Sequence, residues 1–280
     1  MVVGRFAPSP SGRMHLGNVF SALLAWLSVR SAGGKMILRI EDLDPDRSSK
    51  ESEQSIAFAL KALGLDWDAG YPDIEYSQSQ RNEKYDEVFD LLLHRDLLYP
   101  CYCSRSERLA ASAPHPGEHR SDPGCKCRHL SFSERRELEA AGRKAAWKIK
   151  VPDKTISFCD GHYGEFSENL ADSGDFIIKR SDGVYAYQLA VSFDDMDIGV
   201  TRVVRGRDLL SSTARQIWLI SELGGDAPKY YHAPLIVGAD GRKLSKRYGE
   251  LGAEALLKTH APDEIIGYIA GLLGISDGSP

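Results

Sequence analysis

The chain has 280 residues, 42% of them hydrophobic and 27% charged, with no long low-complexity tract, which provides for a sizeable buried core and excludes wholesale disorder. Thirty-five Lys and Arg against 40 Asp and Glu give a formal net charge of −5, which excludes a protein that coats nucleic acid indiscriminately but leaves room for a local basic face. The first apolar run, Met1-Val2-Val3, is broken by Gly4 and Arg5, so no secretory leader is expected. No run is long enough to span a bilayer, and five cysteines, four of them close together, point to metal ligands or reduced thiols in a cytoplasmic protein.

Taken in chain order, residues 2–7 read as a short buried strand and 8–12, Pro-Ser-Pro-Ser-Gly, as a turn-rich loop. A helix follows, with Leu16, Val19, Phe20, Leu23, Leu24 and Leu27 at helical spacing. Gly33-Gly34 closes it, and residues 36–40 form a second buried strand, a βαβ start that favours a parallel sheet. Helices are expected over 52–63, closed by Gly64, and over 79–93. From about Tyr99 the character changes. Residues 101–130 are rich in Cys, His, Pro, Gly and Arg, and a helix over 131–141 opens on a Ser131/Glu134 capping box. Strands are expected over 146–151, 156–159, 176–180 and 184–191, the last two joined by a Ser181-Asp182-Gly183 turn, with Cys159 buried in its strand. The α/β pattern resumes with a strand over 200–204, a helix over 210–223 and a strand over 235–237. Two short helices, 253–260 and 263–273, end the chain. This pattern divides it into 1–98 and 191–250 as halves of one domain, 99–190 as an insertion and 251–280 as a helical tail.

Two loops carry the chemistry. The loop and helix start over 8–18 put His15 and two glycines, Gly12 and Gly17, where backbone can approach a ligand. His15 would offer a ring N–H to a phosphate oxygen, and a helix N-terminus meets negative charge well. Asp240-Gly241-Arg242 is a turn leading into Lys243-Leu244-Ser245-Lys246-Arg247, whose two ammonium groups could close on a triphosphate from the end of a strand. Each motif alone is weak, since a stray His on a loop and a solvated basic run are both common. Together they suit the expulsion of pyrophosphate, in which charge builds on leaving phosphates.

Cys101-x-Cys103 and Cys125-x-Cys127 supply four thiols in two tight pairs, a set that suits one tetrahedral Zn²⁺; His115, His119 and His129 are alternative ligands. The metal would be structural, because this stretch lacks the apolar residues to fold alone. Residues 104–150 hold eleven Lys and Arg against six Asp and Glu, a local +5 on a body of −10, and so form a plausible RNA-facing surface.

Residues 5–12 (Arg-Phe-Ala-Pro-Ser-Pro-Ser-Gly) with His15-Leu16-Gly17-Asn18 closely resemble the first motif of the glutamyl/glutaminyl branch of class I aminoacyl-tRNA synthetases. Residues 39–44 (Arg-Ile-Glu-Asp-Leu-Asp), 187–190 (Tyr-Gln-Leu-Ala) and 204–209 (Val-Arg-Gly-Arg-Asp-Leu) resemble further blocks, and 243–247 is a usual form of the second motif. The resemblance implies an α/β fold, a Rossmann-like doubly wound parallel sheet with an inserted zinc-containing α+β subdomain and short C-terminal helices. It implies ATP contacts at His15, Gly17, Asn18, Lys243, Ser245 and Lys246, with His15, Lys243 and Lys246 catalytic and Lys246 having the largest effect on rate. It also implies a glutamate pocket of Arg5, Ala7, Ser9, Glu41, Tyr187 and Arg205, with Arg5 and Arg205 as guanidinium forks and Glu41 holding the ammonium. Residue-level alternatives stay open: Glu41 could pair with Arg39 or Arg47, Tyr187 could be core on its strand, and Arg205 could be a surface charge.

Many full-length glutamyl enzymes have Asn four residues after the tyrosine; Val191 stands there instead, so fewer polar contacts are expected in the pocket. Only 33 residues follow Arg247, room for two helices rather than an anticodon reader. The resemblance is therefore to the glutamyl-queuosine tRNA(Asp) synthetase family. Its members are stand-alone catalytic cores that activate L-glutamate with ATP and Mg²⁺ and transfer it to queuosine in the anticodon loop of tRNA(Asp). A monomer is expected. Rival readings are a synthetase charging the 3′ end of tRNA(Glu), a catalytically dead zinc-stabilised RNA-binding module, and an adenylyltransferase with a small-molecule acceptor.

Overall fold

The computed structural model describes residues 1–103, 125–236 and 252–275. A five-stranded sheet organises the first and last parts of the chain. Its strands are β1 (Val3–Phe6), β2 (Lys35–Leu38), the two-residue β3 (Ala69–Gly70), β9 (Arg202–Gly206) and β10 (Lys229–Ala233), in the order β10-β9-β1-β2-β3 with every pairing parallel. Helix α1 (Leu16–Arg30) crosses between β1 and β2 and buries Leu16, Val19, Phe20, Ala22 and Leu23 against Leu38 and Ile40. It is followed by α2 (Lys50–Ala62), capped by the Ser49 hydroxyl, and α3 (Asn82–His94). The chain lays β1, β2 and β3 outward in one direction and later returns to add β9 and β10 on the opposite side of β1. The strand order thus reverses at β1, and an open α/β sheet binds ligands at such a point, beyond the carboxyl ends of its strands.

Between the two halves lie β4 (Leu98–Cys101), α4 (Phe132–Ala140), β5 (Ala146–Ile149), β6 (Thr155–Asp160), β7 (Gly164–Asn169), the one-turn α5 (Leu170–Ser173) and β8 (Phe176–Lys179). β4, β5 and β8 form an antiparallel sheet, while β6 and β7 form a separate hairpin. Helices α6 (Tyr187–Asp197) and α7 (Thr213–Glu222) then pack on each other, and α8 (Ala253–Leu256) and α9 (Pro262–Leu272) close the chain. One hydrophobic cluster joins Tyr85 of α3, Ile149 and Ile178 of the antiparallel sheet, Leu189 of α6 and Trp218 of α7, so these elements share a single core.

Three elements depart from the sequence reading. Residues 187–197 are helical rather than the end of a strand, and this helix runs across position 190, where the sequence suggested that the insertion ends. Residues 189–195 are all buried, so the run has no polar face to reveal its period, and Val184-Tyr185-Ala186-Tyr187 imitates strand alternation. The last sheet strand is Lys229–Ala233, stopped by Pro234, six residues ahead of the expected strand over 235–237. The strand carrying Cys159 was expected, but its partner β7 was not, and Cys159 lies on the exposed face of that hairpin instead of being buried. No helix among the described residues is long and apolar enough to cross a membrane.

Candidate active site

A cavity of about 380 Å³ opens at the carboxyl ends of β1, β9 and β10. Arg5, Ala7 and Ser9 reach it from β1 and its following loop, His15, Gly17 and Asn18 from the start of α1, Glu41 from just beyond β2, Tyr187 from the first turn of α6, and Arg205 from β9. The sequence thus brings together in one hollow every proposed substrate-contacting residue that lies among the described residues. Lys243, Ser245 and Lys246 lie outside them, as do the alternative metal ligands His115 and His119. The flanks of that lysine-bearing stretch nonetheless border the cavity: Leu235 and Ile236 line it, and Gly252 forms a β-bridge with His15.

One side of the cavity is built on the N-terminus of α1. His15 is the N-cap, and Asn18 accepts the His15 backbone N–H at 3.1 Å, so Asn18 fixes the entry of the helix. No acidic residue sits in the first turn, leaving the positive end of a 15-residue helix facing the cavity. At Gly17 a Cβ would press on the His15 ring at 3.1 Å, so glycine leaves that ring undisturbed.

Another side of the cavity is an array of charged side chains, most of them buried. Arg5 donates its Nε–H to Asp195 at 3.1 Å, and its two terminal nitrogens make no hydrogen bond to any described residue, leaving the fork open. Arg39, fully buried behind it, bonds Asp195 at 2.6 Å and Glu41 at 3.1 Å. Glu41 therefore both pairs with Arg39 and lines the cavity. Burial raises the Glu41 carboxyl above the usual value for Glu against the pull of Arg39 and Arg5. Burial would also raise Asp195, but Arg39 and Arg5 outweigh it and hold that carboxylate below its usual range. Tyr187 is raised by burial and by Glu41, and is a neutral phenol in the wall. Arg205 is buried rather than a surface charge. It donates to His232 (3.0 Å), to Gln216 (2.6 Å), to the Thr213 hydroxyl (2.8 Å) and to the Leu209 carbonyl (3.3 Å), and stacks over the Tyr230 ring. Val191 is buried within the packing of α6 and is not part of the cavity wall.

Asp195, His232 and Asp160 were missed in the sequence, whereas Arg39 was named there as a possible partner of Glu41, which it is. Asp160 carried a legible signal, because alternation along β6 puts it on the same inward face as Ile156 and Phe158.

The four cysteines converge elsewhere. The Sγ atoms of Cys101, Cys103, Cys125 and Cys127 lie within 4.8 Å of one another, with separations of 3.4, 3.7 and 3.6 Å for the pairs 101–125, 103–125 and 103–127. Sulfurs around one tetrahedral ion at the usual Zn–S length would sit about 3.8 Å apart, so the cluster fits one such ion and is too open for disulfides. The Tyr102 N–H adds a hydrogen bond to the Cys127 sulfur. A hydrogen bond with Cys101 pulls the Cys125 thiol down to about 5.

The catalytic-domain model of class I tRNA synthetases (E and Q) matches residues 1–278. The chain belongs to that family. It is 47% identical to a glutamyl-Q tRNA(Asp) synthetase of Nitratidesulfovibrio vulgaris, covering 98% of this chain and 87% of the relative. A second enzyme of that name, from Symbiobacterium thermophilum, is 46% identical over 99% of the chain and 88% of its own length. Among solved structures, a glutamate tRNA ligase of Elizabethkingia meningosepticum in complex with its amino acid superposes with a TM-score of 0.79 at 30% identity; the match covers 96% of this chain and 60% of that one. Membership in the family accounts for the parallel sheet and for a hollow at its switch point.

Proposed function

We propose that the protein activates L-glutamate with ATP and transfers the glutamyl group to queuosine in the anticodon loop of tRNA(Asp). An α-carboxylate oxygen of glutamate attacks the α-phosphate of ATP, the bond to pyrophosphate breaks, and glutamyl-adenylate results. A hydroxyl of the RNA then attacks the acyl carbon, losing its proton, and AMP leaves. Catalysis of the first step is positioning and electrostatics. The open fork of Arg5 and the charge of Arg205 receive carboxylate, Glu41 receives the ammonium, Ala7, Ser9 and Tyr187 shape the wall, and Gly17, Asn18 and His15 at the helix start meet phosphate. Lys243, Ser245 and Lys246 complete the ATP site, with Mg²⁺ entering bound to the nucleotide. The observation that carries this reading is the convergence of a carboxylate-binding fork, an ammonium-binding acid and an anion-binding helix end in one cavity.

We assign the four-cysteine cluster to one structural Zn²⁺, which would supply cross-links in place of a core. The basic excess over 104–150, within the inserted part, then faces RNA. Four free thiols used as ligands suit the reducing cytoplasm.

The names of the relatives favour queuosine as the acceptor, while the likeness to a glutamate tRNA ligase favours a second reading, charging of tRNA(Glu) at its 3′ end. Incubation with labelled glutamate and ATP separates them. Queuosine-containing tRNA(Asp) is expected to take up label, with queuosine-free tRNA(Asp) and tRNA(Glu) remaining blank. Label on tRNA(Glu) alone would reverse the choice.

A further inference from the structure

Arg205 is held by a chain of buried groups that starts outside the parallel sheet. Asp160, at the end of β6, accepts hydrogen bonds from the backbone N–H groups of His162 (3.1 Å), Tyr163 (2.9 Å) and His232 (3.1 Å), which fix its carboxylate. That carboxylate meets Nδ1 of His232 at 2.6 Å, with both side chains fully buried. On the opposite edge of the same ring, Nε2 lies 3.0 Å from Nε of Arg205. An arginine Nε–H is always a donor, so Nε2 must be the acceptor and the ring proton must sit on Nδ1, pointing at Asp160. Burial and the Arg205 charge keep His232 neutral, which preserves the acceptor.

The hairpin is pressed against this strand. The Gly161 N–H bonds the Tyr230 carbonyl at 2.9 Å, and a Cβ at Gly161 would collide with the Tyr231 ring. Hairpin β6–β7 is therefore seated where its terminal carboxylate can reach β10.

We propose that Asp160 and His232 are positioning residues for the amino-acid site: Asp160 locks His232 in the Nδ1–H tautomer, and His232 then holds the Arg205 guanidinium turned to the cavity. The role rests on the reading that Arg205 binds glutamate. Gln216, Thr213 and Leu209 hold the two terminal nitrogens of Arg205, whereas among the described residues His232 alone holds Nε and so sets the rotation of the guanidinium plane.

Two variants separate positioning from bulk stability. His232→Asn keeps a donor near Asp160 but has no acceptor reaching Arg205, whereas His232→Gln places an amide oxygen near the former Nε2. In glutamate-dependent ATP–pyrophosphate exchange, His232→Asn is expected to raise the KM for glutamate about tenfold, the scale of one hydrogen bond to a charged group, with the KM for ATP unchanged. His232→Gln is expected to recover most of that loss. Equal shifts in both KM values, or an unchanged glutamate KM beside an active wild type, would overturn the proposal. Long-range ¹H–¹⁵N spectra of the wild-type imidazoles, with His232→Gln for assignment, give an independent readout. The Nδ1–H form is expected, and the Nε2–H form would overturn the proposal whatever the activity. A wild type that shows the Nδ1–H form but no exchange with glutamate would instead sink the glutamate reading of Arg205, and the positioning role with it.

Discussion

At the scale of single residues, the amino-acid pocket is a set of charges that orient one another. Arg5, Arg39, Asp195 and Glu41 are strung together by bonds of 2.6–3.1 Å, the first three buried and Glu41 half-buried at the cavity wall. Removing one member leaves the others uncompensated, so Asp195→Ala is expected to lower the unfolding free energy by about 3–5 kcal/mol in urea titration, and a loss under about 1 kcal/mol would contradict the network. Glu41 yields a pH signature. Its carboxyl is raised in the free protein, and only the ionised form attracts an ammonium, so affinity falls as pH drops through a midpoint above that of an ordinary Glu. The acid limb of kcat/KM for glutamate should therefore sit above the usual carboxylate range and vanish in Glu41→Gln; a limb at or below the usual value would argue against the assignment. Motif residues such as His15, Glu41 and Arg205 were legible because their local sequence is distinctive. Their supports were not, since Asp160 and His232 are 72 residues apart and Asp195 and Arg5 are 190 apart. Nothing local announces such partnerships.

At the scale of elements, the sequence pattern served best where apolar residues recur at helical spacing or form short runs bounded by turn residues. Helix α1 and strands β1 and β2 follow the expected pattern within a residue or two at most ends, and α4 opens on its Ser131/Glu134 capping box with Glu134 accepting the Ser131 N–H at 2.7 Å. Legibility failed at α6, whose buried face wraps round the helix, and at β10, an edge strand whose Lys229-Tyr230-Tyr231 lacks the short aliphatic run of a buried strand, while the apolar residues beyond Pro234 belong to the cavity wall. The cysteine cluster also belongs to this scale. Its satellite core contains little beyond Tyr99, Tyr102, Leu130 and Leu138, and α4 buries no residue fully, so the metal would carry the local stability. Elemental analysis is expected to find one zinc per chain. Cys127→Ser should lose it and lower the melting temperature by several degrees, while a variant that melts like the wild type and holds no metal would argue against a structural ion.

At the scale of the whole molecule, the strand order β10-β9-β1-β2-β3 sets the function. Reversal at β1 opens one hollow beyond β1 and β9, and the helix that follows β1 points its N-terminus into it. The hairpin from the intervening part of the chain backs the wall of the same hollow, Asp160 bonding His232 and His232 bonding Arg205, and Gly252 returns the chain to His15. Such convergence is invisible along the chain except through family resemblance, because it depends on which strands become neighbours. The most direct measurement is a crystal structure with a non-hydrolysable glutamyl-adenylate analogue. Its glutamyl part is expected against Arg5, Glu41, Tyr187 and Arg205, with the phosphate analogue over His15 and the first turn of α1. An analogue bound away from this cavity, or with its glutamyl carboxylate touching neither arginine, would contradict glutamate activation here.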